Sequence, residues 1–410
     1  MKGNKSCGIF FFIGSALVEF TYCFPRKVIF GANACTKIPY EIVRLAKPKS
    51  RVLVVTDKNI ANAGIADRVI SPITENGHMV EVFDQISGEP LLATAETVTD
   101  FVRAGKFDVA VGVGGGSCMD MAKIASVAAT NSKPIKDYFA YMEDRIESKP
   151  LPKILIPTTA GTGSEATTYA VVIEEKFKNF INSTQIVADV SVLDPSLMIS
   201  CPPKQTAGSG LDALSQSIEA YLSLGGDFFS DTFAIRAVEL IAPNLRRAYH
   251  HGDDLESRSA MALAAFYGGV AISTAAGVIL GHCISETIGP RFKIPHGLAC
   301  GIVLPYIIKF NIPAAPEKIA SLLSHMSDEN VTGATARAEK VVNVIARLAE
   351  DLDVSLALKD YGISKGDLKE IVTFIATEQQ QNYALPSLNP RIITESNISS
   401  MFDEMWEGTL

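Results

Sequence analysis

Asp108 to Lys123 reads DVAVGVGGGSCMDMAK, and this stretch decides the fold. Its first residues, Asp108–Val113, form a short apolar run that predicts a strand in a buried parallel sheet. A glycine-rich turn follows and opens a predicted helix. Glycines let a backbone approach a diphosphate closely, and the N-terminus of the helix attracts the anion. The stretch predicts a dinucleotide or sugar-phosphate cradle, although a tight turn without a ligand has the same pattern. The candidate cofactor-binding residues are Gly114, Gly115, Gly116, Ser117 and Asp120.

A second loop, Pro157–Glu165, comes directly after the predicted strand Lys153–Ile156. Its hydroxyls and small residues, PTTAGTGSE, offer donors to phosphate or ribose, although threonine and serine are also common in plain loops. The glycine-rich turn has neither the G-x-G-x-x-G spacing nor the Lys-Ser/Thr ending of a P-loop. The cradle is therefore predicted to be a dinucleotide or sugar-phosphate site of a different family from these two motifs.

Asp57 follows the predicted strand Val52–Thr56. Its carboxylate can accept hydrogen bonds from an adenosine ribose and would repel a 2′-phosphate, which favours NAD over NADP. The same position also suits a helix N-cap, so both interpretations of Asp57 stay open.

Short apolar strands and amphipathic stretches alternate in the first half of the chain. A further strand is predicted at Met79–Phe83, and a helix at Ala93–Ala104. This alternation predicts a doubly wound α/β domain with a Rossmann-like parallel sheet.

Long helical patterns dominate from about Thr206, and β-rich patterns almost disappear. The proline-containing segment Asp194–Lys204 marks the change. We predict an N-terminal extension at 1–19, a dinucleotide-binding α/β domain at 20–200 and an all-helical domain at 201–410. The predicted helices are Thr206–Leu222, Asp227–Ala248, Leu255–Ser273, Ala334–Leu352 and Lys365–Thr377.

Length and composition limit the class of protein. A chain of 410 residues exceeds what one hydrophobic core usually organises, which supports two domains. The formal net charge of −8 argues against a nucleic-acid partner. The seven cysteines are scattered and include no Cys-x-x-Cys pair, so they indicate neither a disulfide framework nor a zinc-thiolate site. They suit a reducing compartment.

The N-terminus carries Lys2 and Lys5 before an apolar run, Ile9–Val18, which resembles a secretory signal. Its cleavage end is poor, so we interpret it as an extension or as the product of an upstream start codon. No later segment has the roughly 18 unbroken apolar residues that a membrane span needs. We expect a cytoplasmic protein without a membrane partner.

Two histidines and a carboxylate in the helical half form a candidate metal site. Asp212 and Gln216 stand four residues apart in a helical pattern, and His282 and Glu286 repeat this spacing. His296 follows at a predicted turn. Such a set suits Zn²⁺ or Fe²⁺ and can leave a coordination position open, although single histidines in helices are more often core or surface residues.

Four ordered motifs resemble those of the iron-containing (group III) alcohol dehydrogenases. VGVGGGSCMDMAK at 111–123 resembles GGGSxxDxAK, and PTTAGTGSEAT at 157–167 matches the second motif almost completely. GLDALSQSIEAY at 210–221 matches the segment G-M-D-A-L-T-H-A-I-E-A-Y, and IPHGLACGIVLP at 294–305 matches the histidine-glycine motif. Asn389–Arg391 matches a short C-terminal motif, and the resemblance extends from about Phe20 to the C-terminus.

The resemblance implies a dehydroquinate synthase-like architecture, with the active site in the cleft between an N-terminal dinucleotide-binding domain and an all-helical C-terminal domain. It implies hydride transfer between NAD(H) and a small primary alcohol or aldehyde, assisted by Fe²⁺ or Zn²⁺ in a homodimer or higher homo-oligomer. The two loops would hold the diphosphate. The ribose and nicotinamide end of the cofactor would then be lined by Thr158, Thr159 and Thr162.

The family's metal-ligand positions fall on Asp212, Gln216, His282 and His296. Gln216 departs from the family, which has histidine there. Glu286 stands where many members have histidine near the substrate, and we assign it a catalytic role as a proton relay.

Three alternatives follow from the departure at Gln216. Its neutral amide oxygen can serve as a weak ligand, or the other three residues can hold the ion with water, as in the related glycerol dehydrogenases. Otherwise Glu286 completes the set, or the site is poor in metal. A catalytically impaired nucleotide-binding homologue and a lyase or cyclase related to dehydroquinate synthase are the competing functions.

Overall fold

The computed structural model describes the chain in two compact units. The first comprises Met1–Thr159 and Gly163–Met198, and the second comprises Ala160–Thr162 and Ile199–Leu410. The chain passes finally into the second unit inside the proline-containing segment. The predicted extension and the apolar run Ile9–Val18 lie outside the described residues. The residues described are 22–139, 145–175, 177–274, 277–379 and 385–410.

The first unit contains a parallel sheet of six strands in the order β1-β8-β5-β4-β2-β3, beside an antiparallel pair, β6-β7. The strands are β1 Val28–Phe30, β2 Arg51–Asp57, β3 Met79–Ile86, β4 Val109–Gly114, β5 Lys153–Pro157, β6 Tyr169–Glu174, β7 Phe177–Asn182 and β8 Val190–Leu193. The helices are α1 Ile38–Leu45, α2 Lys58–Asn62, α3 Ile65–Glu75, α4 Leu92–Gly105 and α5 Gly116–Ala128.

Helices cover both faces of the sheet, which gives three layers. Val52 and Val54 of β2 pack in a cluster with residues of α1 and α3. Leu53 and Val55 of the same strand pack with residues of α4 and α5. Because side chains alternate between the faces of a strand, a continuous apolar run buries both faces. The predicted doubly wound α/β fold is confirmed.

Small residues on one face of β4 let α5 approach the sheet closely. Val109, Val111 and Val113 face the other layer, while glycine occupies position 112 between them. A Cβ atom at Gly112 would lie 2.9 Å from the Cβ of Ala122 and 3.2 Å from a backbone carbon of α5. The alternation of valine with alanine and glycine in AVGVG therefore sets the helix–sheet distance.

The order of the strands reverses between β2 and β4. The chain moves from β2 to β3 on one side and then returns to place β4 on the other side of β2. Ligands of open parallel sheets bind at such a reversal, beyond the carboxyl ends of the strands. Asp57 ends β2 and Gly114 ends β4, so both residues lie at this point.

The second unit is helical throughout its described part. Its core joins side chains from the helices that follow α5, with α6 packed against α7, α8, α9 and α10. These helices are α6 Pro203–Leu222, α7 Phe228–His250, α8 Leu255–Thr274, α9 Leu280–Phe292, α10 His296–Asn311, α11 Pro316–Met326, α12 Ala334–Asp351, α13 Asp367–Phe374 and α14 Glu395–Glu407.

Most predicted elements agree with the structure within a few residues. The sequence prediction missed β1, β8 and the hairpin β6-β7, which are short or carry mixed polar residues. His296, predicted at a turn, is the first residue of α10, directly after Pro295. Within the described ranges, no helix is both long enough and apolar enough to cross a membrane.

A buried polar network joins α5 to the loop after β5. The ammonium of Lys123 donates to the carbonyl of Thr167 at 3.2 Å and to the carbonyl of Tyr169 at 2.6 Å. Asp120 accepts from the Ser164 hydroxyl at 2.6 Å. Glu165 is 1% exposed, and neither of its carboxylate oxygens has a hydrogen-bond partner among the described residues. Burial raises the pKa of Glu165 to about 7.

We predict that Glu165→Gln makes the stability of the protein less sensitive to a rise in pH from 4.5 to 8. Because the folded-state pKa of Glu165 is raised from 4.5 to about 7, unfolding releases a proton between these pH values and stability falls as the pH rises. The shift corresponds to roughly 3 kcal/mol lost by pH 8. The free energy of unfolding of the variant relative to the parent should therefore increase by about that amount between pH 4.5 and pH 8.

Denaturant unfolding at both pH values measures this difference. Glu96→Gln, at an exposed position of α4, is the control and should show no such pH dependence. An equal difference between Glu165→Gln and the parent at both pH values would contradict the prediction.

Candidate metal centre and dinucleotide-binding loops

Helix α6 is buried from Thr206 to its end, although many of its residues are polar. Asp212, Gln216 and Glu219 are 3%, 2% and 0% exposed. Burying a carboxylate or an amide is unfavourable unless hydrogen bonds or a cation compensate for the lost water. The environment of each of these side chains therefore indicates what it does.

Asp212, His282, His296 and Cys300 bring one donor atom each into a group in which all four atoms lie within 4.8 Å of one another. The Oδ1 atom of Asp212 lies 3.6 Å from Nε2 of His282 and 3.7 Å from Nε2 of His296. These separations are too long for hydrogen bonds and suit atoms that share one cation. Carboxylate, imidazole and thiolate are all ligands of Zn²⁺, so the donor set fits a divalent transition metal.

Three helices supply these four residues. Asp212 comes from the middle of α6, His282 from the first turn of α9, and His296 and Cys300 from one face of α10. A Cβ atom at Gly297 would lie 2.4 Å from the carbonyl oxygen of Gly208, so glycine lets α10 approach α6. His296 is the most exposed member, with 22% of its side chain accessible.

Glu219 holds His282 in place. Its carboxylate accepts from Nδ1 of His282 at 2.7 Å, from the backbone N–H of His282 at 3.1 Å and from that of Ile279 at 2.9 Å. The Ser215 hydroxyl donates at 2.9 Å. A carboxylate beside Nδ1 keeps the proton on that nitrogen and leaves Nε2 free to bind a metal. A Cβ atom at Gly281 would lie 2.6 Å from this carboxylate, which explains the glycine.

The electrostatic environment of His282 favours positive charge. Burial opposes the imidazolium form, but Cys300, Glu219 and Asp212 outweigh burial and raise the pKa of His282 well above its usual value. An environment that stabilises a charged imidazolium also stabilises a metal ion.

Gln216 and Glu286 lie on the helices that carry the cluster. The amide nitrogen of Gln216 donates to the carbonyl of Gly161 at 2.9 Å, and a Cβ atom at Gly268 would lie 2.7 Å from this nitrogen. Glu286 is 9% exposed and follows His282 by one turn of α9. Among the described residues, its carboxylate is not part of the group of four donor atoms.

The glycine-rich turn has the geometry of an anion cradle. Gly114 has φ of +149°, and its Cβ atom would lie 2.5 Å from the sulfur of Cys118, so only glycine fits. Gly115 is the N-cap of α5, and Gly116 is the first residue of the helix. The backbone N–H groups of the first turn of α5 and its positive end are the features that bind phosphate in other proteins.

Hydroxyl and carboxylate groups surround this turn. The backbone N–H of Thr158 donates to the carbonyl of Gly114 at 2.9 Å, and the buried Thr158 hydroxyl has no hydrogen-bond partner among the described residues. A Cβ atom at Gly115 would lie 3.5 Å from the Thr159 hydroxyl. Asp57 is indeed an N-cap, because its Oδ1 atom accepts from Asn59 and Ile60 of α2 at 2.8 and 3.0 Å.

The remaining predicted cofactor residues differ in their contacts. Asp120 is buried and accepts from Ser164 and from the backbone of Val171, so it holds the second loop. Gly161 and Thr162 belong to the helical unit, where a Cβ atom at Gly161 would lie 2.9 Å from the Cβ of Ser209. Direct contact of a cofactor with the glycine-rich turn or with any other residue of this set stays a prediction. The set is Asp57, Ser117, Asp120, Thr158, Thr159 and Thr162.

Sequence reasoning missed Cys300 and Glu219. Cys300 follows His296 by four residues, which puts both on one face of a helix, and this spacing was the available signal. Glu219 follows Asp212 by two turns in the motif GLDALSQSIEAY. A single cysteine or glutamate in a sequence does not indicate a metal site, because its spatial neighbours are not known from the sequence.

Comparisons with known proteins agree over nearly the whole chain. The family profile "Iron-containing alcohol dehydrogenase" matches residues 25–195, and the profile "Fe-containing alcohol dehydrogenase family, C-terminal" matches residues 206–406. Long-chain-alcohol dehydrogenase 1 of Geobacillus thermodenitrificans (strain NG80-2) is 34% identical over 389 residues, which cover 94% of this chain and 97% of that protein. The 1,3-propanediol dehydrogenase of Klebsiella pneumoniae is 33% identical over 391 residues, which cover 93% of this chain and 98% of that protein.

Solved structures give the same result. A crystal structure of 1,3-propanediol oxidoreductase superposes with a TM-score of 0.88 at 31% sequence identity, covering 94% of this chain and 100% of that one. The agreement extends over both units, because the match leaves only a small part of the chain uncovered.

We predict that Glu219→Gln weakens metal binding. The glutamine amide cannot accept from all the N–H groups that the carboxylate holds, so His282 loses its orientation. Loss of such an outer partner lowers metal affinity by about 10- to 100-fold. Zinc titration against a competing chelator measures this loss. The control is Ser217→Ala on the same helix, where the hydroxyl donates only to the carbonyl of Ala213 at 2.6 Å. Unchanged zinc affinity in a folded Glu219→Gln variant would contradict the role of Glu219.

Proposed function

The chain belongs to the iron-containing alcohol dehydrogenase family and interconverts alcohols and aldehydes, and we propose that it does so with NAD(H) and a divalent metal at Asp212, His282 and His296. The group of donor atoms on α6, α9 and α10 carries this proposal. A metal ion in this group supplies a Lewis acid for the substrate oxygen. Small primary alcohols and aldehydes are the proposed substrates.

The chain's own residues prepare the site for this chemistry. Glu219 holds the proton of His282 on Nδ1, so that Nε2 faces Asp212 and His296. Asp212 is 3% exposed, so its charge is little screened by water. The greater exposure of His296 gives one side on which a small substrate can enter.

We propose Glu286 as the residue that passes a proton between the substrate and solvent. It follows His282 by one turn of α9, so both side chains lie on one face of the helix. Its carboxylate is outside the group of donor atoms, and a carboxyl group of this kind can accept and return a proton. Gln216 stands at the family's remaining ligand position, and its neutral amide oxygen is a weaker donor than the three residues of the proposed site.

The diphosphate of the cofactor is assigned to the first unit. The turn Gly114–Ser117 would hold the diphosphate through backbone N–H groups, and Thr158 and Thr159 would contribute hydroxyls nearby. Thr162 is assigned to the nicotinamide end. Asp120 supports the second loop through Ser164.

Asp57 is proposed to set the preference for NAD. Its Oδ1 atom caps α2, while its Oδ2 atom would lie 3.8 Å from a Cβ atom at Gly114. A carboxylate so close to the diphosphate turn accepts hydrogen bonds from ribose hydroxyls and repels a 2′-phosphate.

Asp57→Ser tests this preference. Serine retains the capping interaction and removes the charge, so α2 should stay intact. Removing like-charge repulsion of about 1 kcal/mol or more should raise kcat/KM for NADPH relative to NADH by at least about fivefold. Steady-state kinetics with both cofactors and one aldehyde measure the ratio, with Asp67→Ser on α3 as the control. An unchanged ratio would assign the preference elsewhere.

The proposed reaction is tested with metal-free protein. NADH oxidation is followed with a panel of short aldehydes, without metal and after addition of Fe²⁺ or Zn²⁺. We expect turnover that depends on metal, and Asp212→Asn should lower kcat/KM by at least about 100-fold because it removes a charged ligand. Glu96→Gln should behave as the parent. No turnover with any metal, together with retained NADH binding, would instead identify a nucleotide-binding homologue without this activity.

A further inference from the structure

Cys300 lies inside the candidate metal centre. Its sulfur is 3.8 Å from Nε2 of His282 and 3.7 Å from Nε2 of His296. The residue is 0% exposed, and its sulfur atom is also 3.2 Å from the Ser285 hydroxyl. A buried cysteine is common in protein cores, but two imidazole nitrogens and a carboxylate around its sulfur are not an apolar environment. The thiol therefore belongs to the group of four donor atoms.

The separations fit one cation among four donors. Ligand atoms of tetrahedral zinc, at about 2.0–2.3 Å from the ion, lie roughly 3.3–3.6 Å apart. The sulfur–nitrogen distances of 3.7 and 3.8 Å and the oxygen–nitrogen distances of 3.6 and 3.7 Å are a few tenths of an ångström longer. These four separations are therefore close to those between the ligands of one tetrahedral ion, and the other two lie within 4.8 Å.

The spacing on α10 and its close packing against α6 position these donor atoms. His296 and Cys300 stand four residues apart on α10, so they project from one face. A Cβ atom at Gly301 would lie 2.6 Å from Leu211, and one at Gly297 would lie 3.1 Å from the Cβ of Asp212. Two glycines beside the cysteine and histidine thus let this face of α10 pack against α6 next to Asp212.

Gln216 has a different task in the same region. Its amide nitrogen is committed to the carbonyl of Gly161, and it packs where Gly268 leaves room. Its remaining oxygen is a neutral donor, whereas a thiolate carries charge and binds Zn²⁺ more strongly. The chain therefore offers a stronger fourth donor than the residue at the family's histidine position.

We propose that Cys300 is a metal ligand and that it completes, with Asp212, His282 and His296, a site of mixed oxygen, nitrogen and sulfur donors that selects Zn²⁺ over Fe²⁺. The thiol gives up its proton to solvent when the ion binds, and sulfur then donates as thiolate. The thiol donates to the Ser285 hydroxyl at 3.2 Å, and this hydrogen bond is given up when the proton leaves. The inference rests on the proposed function only in requiring a metal at this group.

X-ray absorption of the zinc-loaded, full-length protein tests this proposal directly. We expect a sulfur contribution at about 2.3 Å beside nitrogen and oxygen at about 2.0–2.1 Å. Cys300→Ser should lose the sulfur contribution and weaken zinc binding by at least about 100-fold in a chelator competition. Iron binding should weaken less, so that the preference for zinc falls.

Two matched variants separate the ligand from its surroundings. Cys283→Ser changes another fully buried cysteine, on α9, and should retain both the sulfur contribution and the zinc affinity. Gln216→Ala should retain the sulfur contribution. Cys300→Ala, which adds no buried hydroxyl, replaces the serine variant if that variant does not fold. A parent spectrum without sulfur, or a Cys300 variant with unchanged zinc affinity, overturns the proposal.

The outcomes distinguish this proposal from the proposed function. If the zinc-loaded parent reduces aldehydes but shows no sulfur contribution, the assignment of Cys300 is wrong and the dehydrogenase activity stands. If sulfur is present but no aldehyde is reduced under any metal, the assignment of Cys300 stands and the activity does not.

Discussion

The buried carboxylate of Glu219 is the interaction on which the helical unit's candidate metal centre depends. A charge with 0% exposure must receive hydrogen bonds, and this one receives them from two backbone N–H groups at the start of α9, from the His282 ring and from Ser215. The requirement fixes α9 against α6 and sets the proton position on His282. Gly281 is needed for the same reason, since any side chain there would strike the carboxylate.

Close contact through glycine is the second constraint, and it operates in both units. In the sheet, Gly112 lets α5 approach β4, which brings the first turn of α5 to the reversal point of the strands. In the helical unit, Gly297 lets α10 approach α6, which brings His296 to Asp212. In each case the absence of a side chain lets two elements pack closely. This close packing brings the backbone N–H groups of α5 or the ring of His296 to its position.

The departure from the family pattern at Gln216 and the position of Cys300 concern the same candidate site. A histidine at position 216 would supply a third imidazole, but the glutamine there uses its amide to hold Gly161. The sulfur of Cys300 enters the group from α10 instead. Exchange of a neutral nitrogen donor for a thiolate adds negative charge to a buried group that already contains Asp212, which favours a strongly bound cation such as Zn²⁺.

The amino-acid sequence determined much of the fold. Runs such as VLVVT and DVAVGV predicted strands buried on both faces, and helical periodicity predicted five helices of the second unit, because both patterns depend on local burial. Asp212, His282 and His296 were identified through spacing and motif, and the structure brings them together. Their role as ligands and the role of Glu286 remain proposals.

Only the tertiary structure decided which polar residues meet. Spacing along one helix tells which side chains share a face, but not which residues of other helices lie opposite that face. Cys300 and Glu219 became visible only when α6, α9 and α10 were packed together, and Asp120 proved to hold a loop through Ser164. The glycine-rich turn could be predicted from DVAVGVGGGS alone because strand, turn and helix are contiguous in that stretch. The metal centre was not, because its donor atoms come from segments separated by up to 88 residues, from Asp212 to Cys300 (300 − 212 = 88).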